Sequence, residues 1–168
     1  EILRALLIAL GPIWPGRPLG DCGRHRAVPG DGLLPFHKLS QWLAYSLVEP
    51  LQDSGIAVSE LDGLTGLAEY RNGGLFLDLG VIEPRDRSLT QRTLDPQDEA
   101  VVEWRALTVI LLDRLAARVR TLLGKNLAEF PLACVLEGGS WEAGRVAALP
   151  RRADGSPPLT IASDGTLF

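Results

Sequence analysis

Apolar residues recur along the chain at helical spacing, and runs rich in glycine and proline separate them. Ile2 to Leu10 is apolar on nearly every side and is stopped by Gly11, Pro12 and Pro15; a helix of that character calls for burial. Residues 16–32 mix glycine, proline and charge, which predicts a loop. Pro35 suits a first helical turn. From Phe36 to Gln52, Leu39, Trp42, Leu43, Leu47 and Leu51 then keep helical spacing, with Pro50 ending or bending the helix. Asp53-Ser54-Gly55 reads as a turn and Ile56 to Leu61 as a short extended link.

Leu64 to Leu79 is again helical in pattern, on both sides of Asn72-Gly73-Gly74. The two glycines cost roughly 1 kcal/mol each against alanine, so they mark a break between two short helices or a close approach by a ligand. Gly80 is the stop, and residues 83–94 read as a polar surface loop. Asp95-Pro96 opens the next helix, with Asp98 and Glu99 at the positive end of its dipole. Val102, Leu107, Val109, Ile110, Leu111 and Leu115 make it a central, mostly buried element running to about Leu123 and stopped by Gly124. A last helix starts at Pro131, passes Leu136 and Trp141 with an interruption at Gly138-Gly139, and stops at Pro150. The tail alone alternates: Leu159 to Ala162, between Asp154-Gly155 and Asp164-Gly165, predicts a small C-terminal β-hairpin. The expected fold class is therefore mainly α, with residues 1–168 forming a single domain or the C-terminal part of a larger helical domain. The lack of any methionine, with Glu1 leading straight into an apolar helix, is what a piece of a longer polypeptide would show.

Composition narrows the classes. A chain of 168 residues, 46 % apolar and 23 % charged, is an ordinary globular domain with room for a core. A net charge of -4 argues against a nucleic-acid partner, which asks for a clustered basic face, but leaves room for a basic pocket holding one phosphate. Two cysteines, Cys22 and Cys134, fit a reducing compartment and cannot alone cage a metal. No signal peptide pattern opens the chain and no apolar stretch spans a bilayer, so the expected setting is cytoplasmic with no membrane partner. There is no phosphate loop, no HExxH and no GxSxG elbow. His25 and His37 stand far apart in sequence. The expectation is no metal and no cofactor.

Four segments carry candidate chemistry. In Phe36-His37-Lys38-Leu39-Ser40-Gln41-Trp42, His37 and Gln41 share one helical face, as do Lys38 and Trp42; a lysine beside aromatics suits an anionic group, and the plain alternative is a surface lysine with a packed tryptophan. Glu69-Tyr70-Arg71-Asn72 gathers an acid, a phenol, a guanidinium and an amide before two glycines, as a substrate-facing helix end needs; the alternative is a solvated Glu–Arg pair at a bend. A carboxylate there suits a cationic sugar transition state. Glu103-Trp104-Arg105 places charge early in an apolar helix, lining a pocket or forming a buried structural ion pair. Glu137-Gly138-Gly139-Ser140-Trp141-Glu142 holds two acids around glycines, read either as a carboxylate pair or as a helix bend with surface acids.

These segments, with Asp62-Gly63-Leu64-Thr65-Gly66-Leu67, Val102-Glu103-Trp104-Arg105-Ala106-Leu107-Thr108, Leu136-Glu137-Gly138-Gly139-Ser140-Trp141 and Ser163-Asp164-Gly165-Thr166, resemble the uracil-catabolism protein four family. The resemblance runs in order along nearly the whole chain. It implies a role in a pathway that degrades uracil through a ribonucleotide, opening the ring and releasing urea from its sugar. A second family, the helical queuosine-nucleotide N-glycosylases, is similar over short motifs. Phe36, Lys38 and Gln41 match its first helix, Tyr70 and Arg71 its second segment with Leu79-Gly80 downstream, and Glu103 and Arg105 its third. Its key aspartate falls on Glu69, one methylene longer, and His37 stands in place of an aromatic hydroxyl.

Together the resemblances imply a helical glycosylase-like bundle that hydrolyses the C–N bond between ribose, or its phosphate, and urea or a related base. Glu69 would stabilise the oxocarbenium-like sugar or orient water. Lys38 and Arg71 would hold a phosphate or sugar hydroxyls, with Glu103 and Arg105 bracing them. Gln41, Tyr70, His37 and Trp42 would complete the substrate contacts. The implied partner is a small ribosylurea or pyrimidine ribonucleotide-derived molecule, together with other enzymes of the pathway. Two alternatives stand beside this: a ureido or amide hydrolase of the same pathway, and a non-catalytic metabolite- or partner-binding protein.

Overall fold

A computed structural model of the protein describes residues 1–13, 19–163 and 167, with the side chains of these residues except Pro12 and Glu137. The motif Asp164-Gly165-Thr166 and the side chain of Glu137 lie outside the described residues. The fold is mainly α. Its elements are α1 (Ile2–Leu10), β1 (Cys22–Arg24), β2 (Leu33–Pro35), α2 (Lys38–Ser46), α3 (Val48–Asp53), α4 (Tyr70–Asp78), β3 (Thr93–Leu94), α5 (Glu99–Leu123), α6 (Leu132–Val135), α7 (Glu142–Ala148) and β4 (Thr160–Ile161). A π-helical turn, Leu136–Trp141, joins α6 to α7 where Gly138-Gly139 predicts an interruption.

Helix α5 is the axis of the molecule. Its 25 residues end at Gly124, whose φ of 64° is the left-handed stop that glycine provides at no steric cost. Three buried clusters lie along it. Val101 and Trp104 meet Leu94 and Leu159. Val102 meets Phe36 and Ala68. Leu112 meets Phe76 and Leu136. Burying each large side chain contributes roughly 1.5–3 kcal/mol, so the helix that gathers all three clusters anchors β1, α4 and α6 against it.

Local structure departs from the sequence reading where hydrogen bonding or packing overrides periodicity. Pro35 does not open a helix: it closes β2, which pairs antiparallel with β1 from Cys22↔Pro35 to Arg24↔Leu33, inside and beside the predicted loop. The helical run is interrupted at Leu47, between α2 and α3, as the expected bend at Pro50 requires; Pro50 itself is the third residue of α3, within its first turn, where its missing N–H has no acceptor within α3 to lose. Residues 64–69 precede α4 without helical structure, because the Glu69 side chain caps the helix and so fixes its start at Tyr70. Asn72-Gly73-Gly74 is no break. The helix runs through it, and the close approach there is by protein: a Cβ on Gly73 would lie 2.8 Å from Trp104 Cε2 and from Thr108 Oγ1. The small antiparallel hairpin of the fold is β1–β2. The strand expected in the tail is present as β4, but it pairs in parallel with β3, joining the tail to the polar segment before α5 rather than to its own neighbour. Among the described residues no helix is long and apolar enough to cross a membrane.

Candidate functional site

The site is built on Asp21, a fully buried carboxylate in the turn before β1. Its carbonyl accepts the N–H groups of Phe36 and His37, both at 3.0 Å. Its Oδ2 accepts the N–H of Lys38 at 2.9 Å, supplying from a distant turn the cap that His37 does not give α2. The charge is met by Arg105 of α5, 1 % exposed, whose Nη1 and Nη2 donate to Oδ1 and Oδ2 at 2.7 and 2.8 Å. The same guanidinium stacks on the Phe36 ring at 4.1 Å and donates through Nε to the carbonyl of Ala68 at 3.2 Å and through Nη2 to that of Leu167 at 2.8 Å. One buried fork thus fastens two turns together: the one that carries His37 and Lys38, and the one that carries Glu69.

Glu69 caps α4. Its Oε2 accepts the N–H of Arg71 at 2.8 Å and its Oε1 that of Asn72 at 2.5 Å. The residue is only 7 % exposed. Burial pushes its carboxyl above the ordinary carboxylate range, opposed by the two amide hydrogen bonds and by the charges of Lys38 and Arg71. Each carboxylate oxygen keeps a lone pair beyond the one an amide uses. Behind the cap, Asn72 donates to the carbonyl of Leu67 at 3.2 Å, and Ser140, delivered by the π turn, donates to Asn72 Oδ1 at 2.7 Å. Gly144 of α7 lies so close that a Cβ there would run into the Arg71 carbonyl.

The other expected contacts divide. Gln41 is buried and accepts the N–H of Thr65 at 3.2 Å, tying α2 to the segment before Glu69. Arg71 donates to the Gly155 carbonyl at 2.6 Å and stacks on Tyr70 at 4.8 Å, while its Nε is buried with no hydrogen-bond partner among the described residues. Tyr70 leans on the Trp104 cluster. His37 adopts a left-handed backbone (φ 48°), its Nδ1 is buried without a hydrogen-bond partner among the described residues and its Nε2 lies 4.0 Å from Cys22 Sγ. Burial lowers its proton affinity. Trp42, a turn beyond Lys38, is 52 % exposed. Glu103 and Arg105 do not act together: Glu103 faces out toward His25, 4.0 Å away, whereas Arg105 is the buried structural ion pair that the apolar helix allowed as an alternative.

Asp21 is the residue that sequence reasoning missed. It sits between Gly20 and Cys22 in a stretch that reads as loop, and its partner is 84 positions away. An open concavity lined by Arg24, His25, Arg26, Asp31 and Glu99 lies on the β1–β2 hairpin, not at Glu69. Among the described residues no three His, Cys, Asp or Glu side chains are grouped to hold a metal. Chemically, the Glu69 cluster offers a buried carboxyl with raised proton affinity and cations on two helices.

The family described as "Protein of unknown function (DUF1688)" matches residues 1–168. Protein urg3 of Schizosaccharomyces pombe is 45 % identical over 177 residues, covering 100 % of this chain and 44 % of the relative. Uracil catabolism protein 4 of Lachancea kluyveri is 40 % identical over 201 residues, covering 100 % of this chain and 45 % of the relative. The chain therefore spans less than half the length of these curated relatives. With its whole length matched and two such relatives, the chain belongs to the DUF1688 family.

Proposed function

We propose that the protein acts in uracil catabolism and hydrolyses the C–N bond between a ribose, or ribose 5′-phosphate, and urea or a related base. The observation that carries the reading is the buried Glu69 carboxyl at the start of α4, raised in proton affinity by burial and flanked by the charges of Lys38 and Arg71. The name of the Lachancea relative supplies the pathway. In the reaction, the bond from C1′ to nitrogen breaks. Water gives its hydroxyl to C1′ and its proton ends on the urea nitrogen. Glu69 accepts the water proton or faces the positive charge that grows on the sugar. Lys38 and Arg71 hold the phosphate or hydroxyls of the sugar. The setting is cytoplasmic, with no cofactor, nucleic acid or membrane taking part.

A non-catalytic, ligand-binding reading has its own support: both Glu69 oxygens already serve the helix as a cap. Incubation with ribosylurea and with its 5′-phosphate, following urea and reducing sugar, separates the two. Release by the native protein and none by Glu69→Gln supports hydrolysis. Ligand binding without release by either protein overturns it in favour of a binder. Release of ammonia from the ureido group with the sugar still attached would assign an amide hydrolase instead.

A further inference from the structure

One segment beside Glu69 has no role in the proposed reaction: the π-helical turn Leu136–Trp141. Such turns are rare, have poorer hydrogen-bond geometry than an α-helix and concentrate at functional sites. This one delivers Ser140, which is buried. In a regular helix a buried serine hydroxyl returns to the carbonyl four residues back. Here that carbonyl, of Leu136, is 3.5 Å away, and the nearer acceptor lies across on α4: Asn72 Oδ1, at 2.7 Å.

Asn72 is buried too, and its side chain is engaged at both ends. Its Nδ2 donates to the Leu67 carbonyl at 3.2 Å, the same carbonyl that accepts the N–H of Glu69 at 2.9 Å. Its backbone N–H donates to Glu69 Oε1 at 2.5 Å. The orientation of the amide follows from the partners. The Leu67 carbonyl only accepts, so Nδ2 faces it and Oδ1 faces the hydroxyl. One residue thus grips Glu69 twice, by its backbone through Leu67 and by its carboxyl directly, and Ser140 holds that residue. A helix cap asks for none of this, because the N–H of residue 72 would serve the cap whatever side chain stood there. Two buried polar side chains that satisfy one another add a fixed place for the carboxyl.

We propose that Asn72 and Ser140 are positioning residues of the Glu69 site: the π turn, acting through the Asn72 amide, holds the carboxyl where it meets the sugar or the attacking water. The inference rests on Glu69 as the reacting carboxyl. It assigns the Gly138-Gly139-Ser140 segment to the site through another residue, with no contact of its own to substrate.

Ser140→Ala removes the hydroxyl and tests this with two readouts. In urea release from ribosylurea, kcat should fall by about 10–100-fold with KM within about twofold, because a small misplacement of a reacting group costs on that scale. The carbon-13 signal of the Glu69 carboxyl, identified by its loss in Glu69→Gln, is followed against pH in the same proteins. Its midpoint should rise by at least about half a pH unit in Ser140→Ala, as the Asn72 N–H loosens its hold on the carboxylate. If Ser140→Ala does not fold, Ser140→Cys keeps the shape and a weaker donor, and should move both readouts less in the same directions. An unmoved or lowered midpoint in a folded variant overturns the proposal, whatever its stability or kcat. Absence of urea release by the native protein overturns the hydrolysis reading alone, and the midpoint then decides whether the π turn places the carboxyl.

Discussion

Asp21 and Glu69 are both buried carboxyl groups at the start of a helix, and the fold treats them differently. Asp21 meets a guanidinium in bidentate geometry and caps α2 as well, so every demand of its charge has a direct partner. Glu69 meets two backbone amides, while Lys38 and Arg71 act on it only as neighbouring charges, and burial prevails over all of them. The first arrangement is what a framework needs. The second leaves a carboxyl whose proton affinity burial raises, the feature on which the proposed reaction rests. Arg105 connects the two, because the guanidinium that satisfies Asp21 also holds the carbonyl of Ala68, the residue before Glu69.

The largest expected effect falls on the framework. Arg105→Ala strands the Asp21 charge in a fully buried site, and Asp21→Ala strands the guanidinium. Each should lower the free energy of unfolding by about 3–5 kcal/mol in urea titrations. The joint replacement Asp21→Leu with Arg105→Met should recover much of that loss, since well-packed apolar groups often match a buried pair. It should not recover the placement of Lys38 and Glu69, because the cap on α2 and the hold on Ala68 are gone. A loss below about 1 kcal/mol in both single variants would mean the pair is not the framework described here.

Next comes Glu69→Gln, which should break the comparison from the other side. Glutamine keeps one oxygen to accept an amide, so the stability cost should stay near that of a weakened cap, about 0.5–1 kcal/mol. Release of urea from ribosylurea should fall by about 10²–10³-fold, the scale of removing one transition-state contact. A variant that unfolds but keeps its turnover when folded would make Glu69 a second framework residue and remove the distinction.

Much of the framework was legible and its centre was not. The long buried α5, its stop at Gly124 and the irregular turn at Gly138-Gly139 follow from local chemistry, a 3.6-residue period and a left-handed glycine, whereas the helix expected from Leu64 starts only at Tyr70, where the Glu69 side chain caps it. Asp21 followed from nothing local, since its meaning comes from a partner on α5. Gly73 was readable as a close approach, but the sequence did not say that Trp104 makes it. The pairing of β4 with β3 was hidden for the same reason: two-residue strands carry no period, and only the closing of the chain brings them together. Glu103 and Arg105 share one sequence segment, but on a helix residues two apart face different ways.

A smaller effect sharpens the contrast through pH. The pKa of Glu69 in the folded protein lies above its ordinary value of 4.5. The unfolded chain therefore gives up that proton first as pH rises. The contribution of Glu69 to stability is full below pH 4.5 and is lost as pH climbs through the folded value. Glutamine has no proton to lose. The stability of the native protein relative to Glu69→Gln, followed by thermal unfolding, should decline from about pH 4 toward neutrality. A difference that grows with pH would show the amides and cations prevailing over burial, and Glu69 would then resemble Asp21.

The smallest effect concerns His37, whose N–H donates to the carbonyl of Asp21. Its left-handed backbone, φ 48° and ψ 41°, costs a residue with a Cβ roughly 1 kcal/mol, and asparagine bears that conformation better than most. Burial, with help from Arg105 and against Asp21, lowers the pKa of the ring below 6.5. Here the unfolded chain takes up the proton first as pH falls. The contribution of the neutral imidazole is present above pH 6.5 and is lost as pH drops through the folded value. His37→Asn keeps the turn and removes the titration. The two proteins should differ by less than about 1 kcal/mol at pH 7.5, with the variant gaining on the native protein below pH 6.5. Parallel profiles would mean that the ring takes up its proton as readily in the fold as outside it. The buried Nδ1 would then be a position open to water, and the turn that presents Lys38 would be looser than the Asp21 hydrogen bonds make it.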